Sequence, residues 1–272
     1  MHQQKRYKGL EGKRILIADD VEMNQYLVRR LVESWDCIVD IAGDGMTAVE
    51  KAANHAFDLV LMDIQMPVID GIEATRRIRR LPDEKKSSIP IVALTANASK
   101  EDHQAYLNVG MDDCLRKPFE EALLFDIVFK NIYKRQGDNM NVNSLQAGAA
   151  SPAAEHQAKG YDLSTIESLS GGDSSFIPRM MQLFLDTVPG VLQQIQSAAD
   201  NQQWPELSKA AHKLKATVDA MGIAALKQGI RTLESKAKTG EDPELLAGLA
   251  ARTVQVMRET MAEVKRDLTR NS

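Results

Sequence analysis

Residues Leu59-Val60-Leu61-Met62-Asp63 form an apolar run of strand length that ends on a carboxylate. Three other runs share its texture: Arg14-Ile15-Leu16-Ile17-Ala18, Ile38-Val39-Asp40-Ile41-Ala42 and Ile91-Val92-Ala93-Leu94-Thr95. A weaker fifth is Cys114-Leu115. Between them lie amphipathic stretches, for example Tyr26, Leu27, Arg30, Leu31 and Ser34, then Ile72, Thr75, Arg76 and Ile78 to Leu81. Strands that are apolar almost throughout, alternating with helical periods, predict an α/β domain with a doubly wound five-stranded parallel sheet covered on both faces.

The texture changes at Gly137. Residues 137–160 read GDNMNVNSLQAGAASPAAEHQAKG, small and polar without apolar periodicity, and are expected to be a flexible linker. As a coil, such a segment spans roughly 27 Å root-mean-square and at most about 80 Å when extended. Beyond Tyr161 only helical periods occur. Gly171-Gly172-Asp173 precedes an apolar helix through Phe176, Met180, Leu183 and Phe184, and Pro189-Gly190 is expected to interrupt it before Val191, Leu192 and Ile195. Trp204-Pro205 opens a helix through Leu207, Ala211, Leu214, Val218 and Met221, which ends at Gly222. Leu226, Ile230 and Leu233 follow, and Asp242-Pro243 starts a long last helix. Four substantial helices with short connections predict a separate all-α four-helix bundle. The domain expectation is therefore 12–136, a linker at 137–160, and 161–270.

Composition narrows the function classes. The 272-residue chain has 34 basic and 38 acidic side chains, with 20 and 22 of them up to residue 136 and 14 and 16 beyond it. Neither half is a basic module, which argues against nucleic acid or an anionic membrane as partner. Cys37 and Cys114 cannot build a disulfide framework, form no CxxC metal site, and are expected to be buried thiols. The apolar runs fall far short of the ~20 residues that span a bilayer, and the polar start Met1–Arg6 lacks a signal-peptide core.

Three carboxylates sit at strand ends: Asp19 and Asp20 after the first run, Asp63 at the end of the third. Ligand sites in open parallel sheets form beyond these ends, beside the topological switch point, so the three acids are expected in one cleft. Clustered carboxylates repel unless a cation neutralises them. A hard divalent ion such as Mg²⁺ and Lys117, just before Pro118, are the candidates. Thr95 adds a hydroxyl at the end of the fourth strand. This set suits phosphoryl transfer onto Asp63 as nucleophile, with Mg²⁺ and Lys117 screening phosphoryl oxygens and Thr95 donating a hydrogen bond. Singly, each residue has a plainer reading: helix-cap acids, turn residues, a β-branched strand residue. Together, in this strand order, they point to one site.

Ile15-Leu16-Ile17-Ala18-Asp19-Asp20, Leu61-Met62-Asp63-Ile64-Gln65-Met66-Pro67, Ala93-Leu94-Thr95-Ala96 and Lys117-Pro118-Phe119 resemble the receiver domain of two-component response regulators. The resemblance implies strand order 2-1-3-4-5. It also implies Mg²⁺ held by Asp20, Asp63 and the backbone carbonyl of Gln65, with Asp19 acting through water, phosphorylation at Asp63, and a cis Lys117-Pro118 bond. The receiver pattern usually has an aromatic residue three positions before the lysine, and here Cys114 stands there. Aromatic-rotamer signalling through the last strand is therefore expected to be weak, so that this receiver passes phosphoryl groups on rather than driving an output.

Of the five histidines, His2, His55, His103 and His156 read as solvated surface, tail or linker. His212 differs. It lies one residue, about 100°, off the buried stripe Leu207, Ala211, Leu214, Val218 and Met221, and so at its rim. Small residues Ser208 and Ala216 flank it, and Lys209, Lys213 and Lys215 make its surroundings positive. His212-Lys213-Leu214-Lys215, with Gly222 further on and Leu233-Glu234 on the next helix, resembles a histidine phosphotransfer domain. That implies phosphorylation of His212 on Nε2, Lys215 beside it, and Glu234 holding Nδ1–H. The family commonly has glycine where this chain has Ala216, which bears on partner choice.

No Walker loop or GxGxxG fingerprint supplies an ATP site. The expected function is a phosphorelay: an upstream histidine kinase phosphorylates Asp63, and the group passes through His212 to the receiver domain of another response regulator. An intramolecular receiver–bundle contact is compatible with the linker, at an effective concentration of order mM. The alternatives are a C-terminal regulatory fragment of a hybrid histidine kinase, or a phosphate sink or scaffold. The expected location is the cytoplasm, or the cytoplasmic side of the inner membrane for a hybrid kinase.

Overall fold

Five parallel strands, β1 (Arg14–Ala18), β2 (Ile38–Ala42), β3 (Leu59–Asp63), β4 (Ile91–Thr95) and β5 (Asp113–Arg116), pair in the order β2-β1-β3-β4-β5. The computed structural model describes residues 7–95, 99–133, 160–169 and 173–270. The expected linker, apart from Gly160, and Gly171-Gly172 lie outside the described residues. The central strands are continuous apolar runs because both of their faces are buried. Ile15, Ile17, Leu59, Leu61, Val92 and Leu94 point into one core, and Leu16, Ala18, Val60, Met62, Ile91 and Ala93 into the other.

Helices α1 (Glu22–Ser34) and α6 (Glu121–Tyr133) cover the first face. Helices α2 (Gly45–Asn54), α3 (Gly71–Arg79) and α5 (Lys100–Val109) cover the second, and α4 (Glu84–Ser87) is a single turn before β4. Asp44 and Asp70 cap α2 and α3 by accepting from the Thr47 and Glu73 amides. Register then gathers the strand ends. Ala18 pairs with Met62, which brings Asp19 level with Asp63, and Thr95 pairs with Arg116, one residue before Lys117. At Gly71 a Cβ would lie 2.1 Å from the Asp63 carbonyl oxygen. Only glycine lets α3 start this close to Asp63.

The C-terminal part comprises α7 (Ser164–Leu169), α8 (Phe176–Asp200), α9 (Trp204–Ala220), α10 (Lys227–Ala237) and α11 (Pro243–Arg270), with a 3₁₀ turn at Ala224–Leu226. Gly222 sits at φ +60° between α9 and the turn, where a Cβ would strike the Asp162 carbonyl at 2.3 Å. Pro189-Gly190 does not interrupt α8, contrary to expectation. Both residues are exposed, and Phe184, Val188, Leu192 and Ile195 are buried around them. The hydrogen bond that proline removes is thus on the solvent side, and packing of the opposite face keeps the helix continuous. No helix among the described residues is long and apolar enough to cross a membrane.

The two parts meet along α1. Of the residues that give α1 its helical period, Leu31 faces the sheet with Val28 and Val32, whereas Tyr26 and Leu27 face the bundle. Met23, 1% exposed, joins the bundle's core. The Tyr26 ring stacks on Phe176 with centroids 5.7 Å apart, and Arg30 pairs with Asp173.

Candidate functional site

Asp19 is completely buried just past the end of β1, where its carboxylate accepts several hydrogen bonds. Its Oδ1 accepts from the Val21 amide at 2.9 Å, both of its oxygens lie 3.2 Å from Asn24 Nδ2, and Lys117 Nζ is 2.6 Å from Oδ2. Lys117 also reaches Asp63 Oδ2 at 3.0 Å, and the Lys117-Pro118 bond is cis, as the resemblance to receiver domains implied. Burial works against the Lys117 ammonium, but the Asp19 and Asp63 carboxylates outweigh it and hold its pKa above the usual lysine range. Burial, helped by the Asp63 charge, pushes the Asp19 carboxyl up despite Lys117. One ammonium is too little for this many acids.

Asp20 completes the cluster. Ligand atoms of Asp19, Asp20 and Asp63 all lie within 4.8 Å of one another, the spacing a single small cation needs. Asp20 Oδ1 is buried without a hydrogen-bond partner, which is costly unless a cation takes it up. The donor set is all oxygen and fits a hard divalent ion. Gln65, placed just past Asp63 by the β3–α3 loop, donates its backbone N–H to Asp63 Oδ1 at 3.4 Å.

Thr95 is 4% exposed at the end of β4, and its Oγ1 lies 3.2 Å from the hydroxyl of Tyr106 on α5. The sequence reading did not single out Tyr106. Cys114, only half-buried rather than fully buried as expected, packs in the same core as this ring. The aromatic ring beside Thr95 thus comes from α5, while β5 carries Cys114. A lone tyrosine in the polar helix KEDHQAYLNV was the available signal.

On the bundle side, His212 of α9 keeps 19% of its side chain exposed, as its rim position led us to expect. Its Nδ1 is 2.7 Å from Glu234 Oε1 on α10, leaving Nε2 as the other ring nitrogen. Glu234 is 7% exposed, and its two oxygens pair with His212 and Lys215 rather than with Lys238, the surface partner its spacing allows. Lys215 donates to Glu234 Oε2 at 2.6 Å and stands 3.4 Å from His212 Nδ1, so it lies on the Glu234 side of the ring. Burial raises the Glu234 carboxyl, but the hydrogen bonds from His212 and Lys215 prevail and hold it at about 2. Ser208 fixes α10 by donating to the Glu234 carbonyl at 2.9 Å.

The two groups share one space. A cavity of about 570 Å³ is lined by Asp63, Thr95 and Lys117 from the sheet and by His212, Lys215 and Glu234 from the bundle. Lys213, expected as part of a positive field, instead crosses between the domains and pairs with Asp20 Oδ2 at 3.1 Å.

Residues 15–129 match the response regulator receiver domain family, and residues 179–267 match the Hpt domain family. The chain is a receiver domain followed by an Hpt domain. It is 32% identical over 228 residues to the sensor protein GacS of Pseudomonas syringae pv. syringae, covering 83% of this chain and 24% of GacS. To the aerobic respiration control sensor protein ArcB of Escherichia coli K12 it is 30% identical over 221 residues, 80% of this chain and 27% of ArcB. The chain thus spans about a quarter of the length of these relatives. A solved structure is similar over 44% of this chain and 98% of its own, at 40% identity and TM-score 0.41. It is the receiver domain of a sensor histidine kinase of Pseudomonas aeruginosa PAO1, described with a magnesium ion coordinated in its active site cleft.

Proposed function

We propose that this receiver–Hpt chain carries one phosphoryl group between two stations, Asp63 and His212. The observation that carries the reading is the shared cavity, into which both side chains open. The working units are a receiver at 12–136, a tether at 137–160 and the Hpt domain at 161–270.

In the first step an Asp63 carboxylate oxygen attacks phosphorus on an upstream phosphohistidine. The new P–O bond forms as the donor's P–N bond breaks. Lys117, already 3.0 Å from Asp63, screens the incoming phosphoryl oxygens, and the Thr95 hydroxyl donates to one of them. Asp19, Asp20, Asp63 and the Gln65 carbonyl would hold Mg²⁺, whose chemistry here is to neutralise charge on the transferring group. In the second step His212 Nε2 attacks, the P–O bond to Asp63 breaks, and a P–N bond forms. Glu234 keeps the proton on Nδ1 and stabilises the positive charge the ring acquires. Lys215 stops Glu234 from turning away. The group then leaves for the receiver domain of a further response regulator, with all steps on cytoplasmic ground. The relatives' lengths suit a second setting for the same chemistry, in which the upstream kinase belongs to the same polypeptide.

Labelled phosphate tests this reading in three chains: wild type, Asp63→Asn and His212→Gln. With a phosphorylated histidine kinase as donor, the wild type is expected to label at both sites and Asp63→Asn at neither. His212→Gln is expected to label at Asp63 alone. Labelled His212 in Asp63→Asn at the wild-type level would exclude the relay order.

A further inference from the structure

The receiver–Hpt reading accounts for the cavity, but not for Lys213. That side chain is not needed to arrange His212, which is held by Glu234 and Lys215. It crosses the domain boundary to a carboxylate that is 4% exposed and belongs to the acidic cluster. The two oxygens of Asp20 have different fates: Oδ2 holds the Lys213 ammonium, and Oδ1 has no partner.

Resting on that reading, we propose that Lys213 couples docking of the Hpt domain to cation loading of the receiver, with opposing sign. The docked domain lowers the affinity of Asp19, Asp20 and Asp63 for a divalent ion, and the ion in turn weakens docking.

The coupling is electrostatic. Oδ1 of Asp20 is buried but has no hydrogen-bond partner, so Lys213 leaves that oxygen's lone pairs to a cation. An ammonium on the other oxygen of the same carboxylate withdraws part of the negative charge the ion would use, and repels the ion across a poorly solvated gap. Lys117 already supplies one positive charge to Asp19 and Asp63, so Lys213 is the second cation at a three-acid site. Linkage makes the effect reciprocal: whatever factor docking removes from ion affinity, the ion removes from docking. Elsewhere in the interface Met23 lies in the bundle core, Tyr26 stacks on Phe176, Arg30 pairs with Asp173, and Val21, whose amide donates to Asp19 Oδ1, packs against the bundle core. Among the described residues Lys213 is the bundle side chain that brings a charge onto the cluster.

The coupling gives the relay an order. In the ion-free chain the Hpt domain covers Asp63, and an outside donor is shut out. Loading the receiver frees Lys213 from Asp20 and favours the open form, in which Asp63 can accept. Phosphorylation then adds negative charge beside Asp20. Lys213 regains an anionic partner, and the Hpt domain is drawn back to collect the group.

Calorimetric titration of MgCl₂ into the full chain tests this without any phosphoryl transfer. Lys213→Met keeps most of the aliphatic stem and removes the charge. It is expected to bind Mg²⁺ about three- to tenfold more tightly than wild type. Hydrogen exchange supplies the reciprocal reading: saturating Mg²⁺ is expected to raise exchange at Val21–Leu27 in wild type, and less in Lys213→Met. Equal or weaker Mg²⁺ binding by Lys213→Met would overturn the proposal, as would Mg²⁺ leaving exchange of α1 in wild type unchanged. Neither result would touch the relay itself, which stands or falls on where labelled phosphate goes.

Discussion

Asp63 and His212 line the same cavity but are held in place over different ranges of the chain. Asp63 depends on Lys117, which also reaches Asp19 across 98 residues of sequence, and on strand register that brings three separate loops together. His212 depends on Glu234, 22 residues away on the neighbouring helix, and on Lys215 three residues along its own. The acid site holds surplus like charge that folding must tolerate, whereas the histidine site is a closed set of opposite charges. Function and stability should therefore diverge at Asp63 and run together at His212 and Glu234.

The largest expected effect breaks the two apart. Asp63→Asn is expected to abolish phosphorylation while leaving the melting temperature unchanged or higher, because one of three repelling carboxylates is gone. A clear drop in melting temperature, read by circular dichroism, would show that the cluster is not under repulsion. Lys117→Ala should do the opposite to the fold. It leaves completely buried Asp19 without its ammonium, a loss of about 3–5 kcal/mol for a broken buried pair, together with about a hundredfold slower phosphorylation.

On the helical side, Glu234→Ala is expected to slow transfer from Asp63 to His212 by about ten- to hundredfold and to lower stability as well, since His212 and Lys215 lose their common partner. The pH dependence has a definite sign. Glu234 is held at about 2 in the folded chain against an ordinary 4.5, so its contribution is complete above pH 4.5 and disappears as pH falls through about 2. Imidazole nitrogen shifts of His212 should accordingly keep the signature of the Nδ1–Glu234 bond at pH 4. Its disappearance near pH 4.5 would contradict the geometry. The smallest effect belongs to Tyr106→Phe, which removes one hydroxyl from Thr95. A hydrogen bond worth about 0.5–1.5 kcal/mol corresponds to a change of about two- to thirteenfold in the lifetime of the Asp63 phosphate.

The same contrast in range explains what the sequence made legible. The apolar runs at 14–18, 59–63 and 91–95 are central strands buried on both faces, so composition alone marked them, and the acids followed from where those runs end. Glu234 was reachable through a family pattern because it lies one helix from His212. Tyr106 was not, because its place beside Thr95 depends on how α5 packs on the sheet, which no local spacing records. Nor was the second face of α1: Tyr26 and Leu27 read as ordinary helix residues and Met23 did not stand out, yet a second domain lies against all three. Pro189 misled for a related reason, since a helix breaker is tolerated where its lost bond faces solvent.

The central claim is that one chain contains both donor and acceptor. The rate at which phosphate moves from Asp63 to His212, followed in purified chain at increasing dilution, tests it most directly. A first-order rate constant that does not change with protein concentration is expected, and a mixture of Asp63→Asn and His212→Gln chains should transfer far more slowly and in proportion to concentration. A wild-type rate that falls with dilution as steeply as that of the mixture would contradict exchange within the chain.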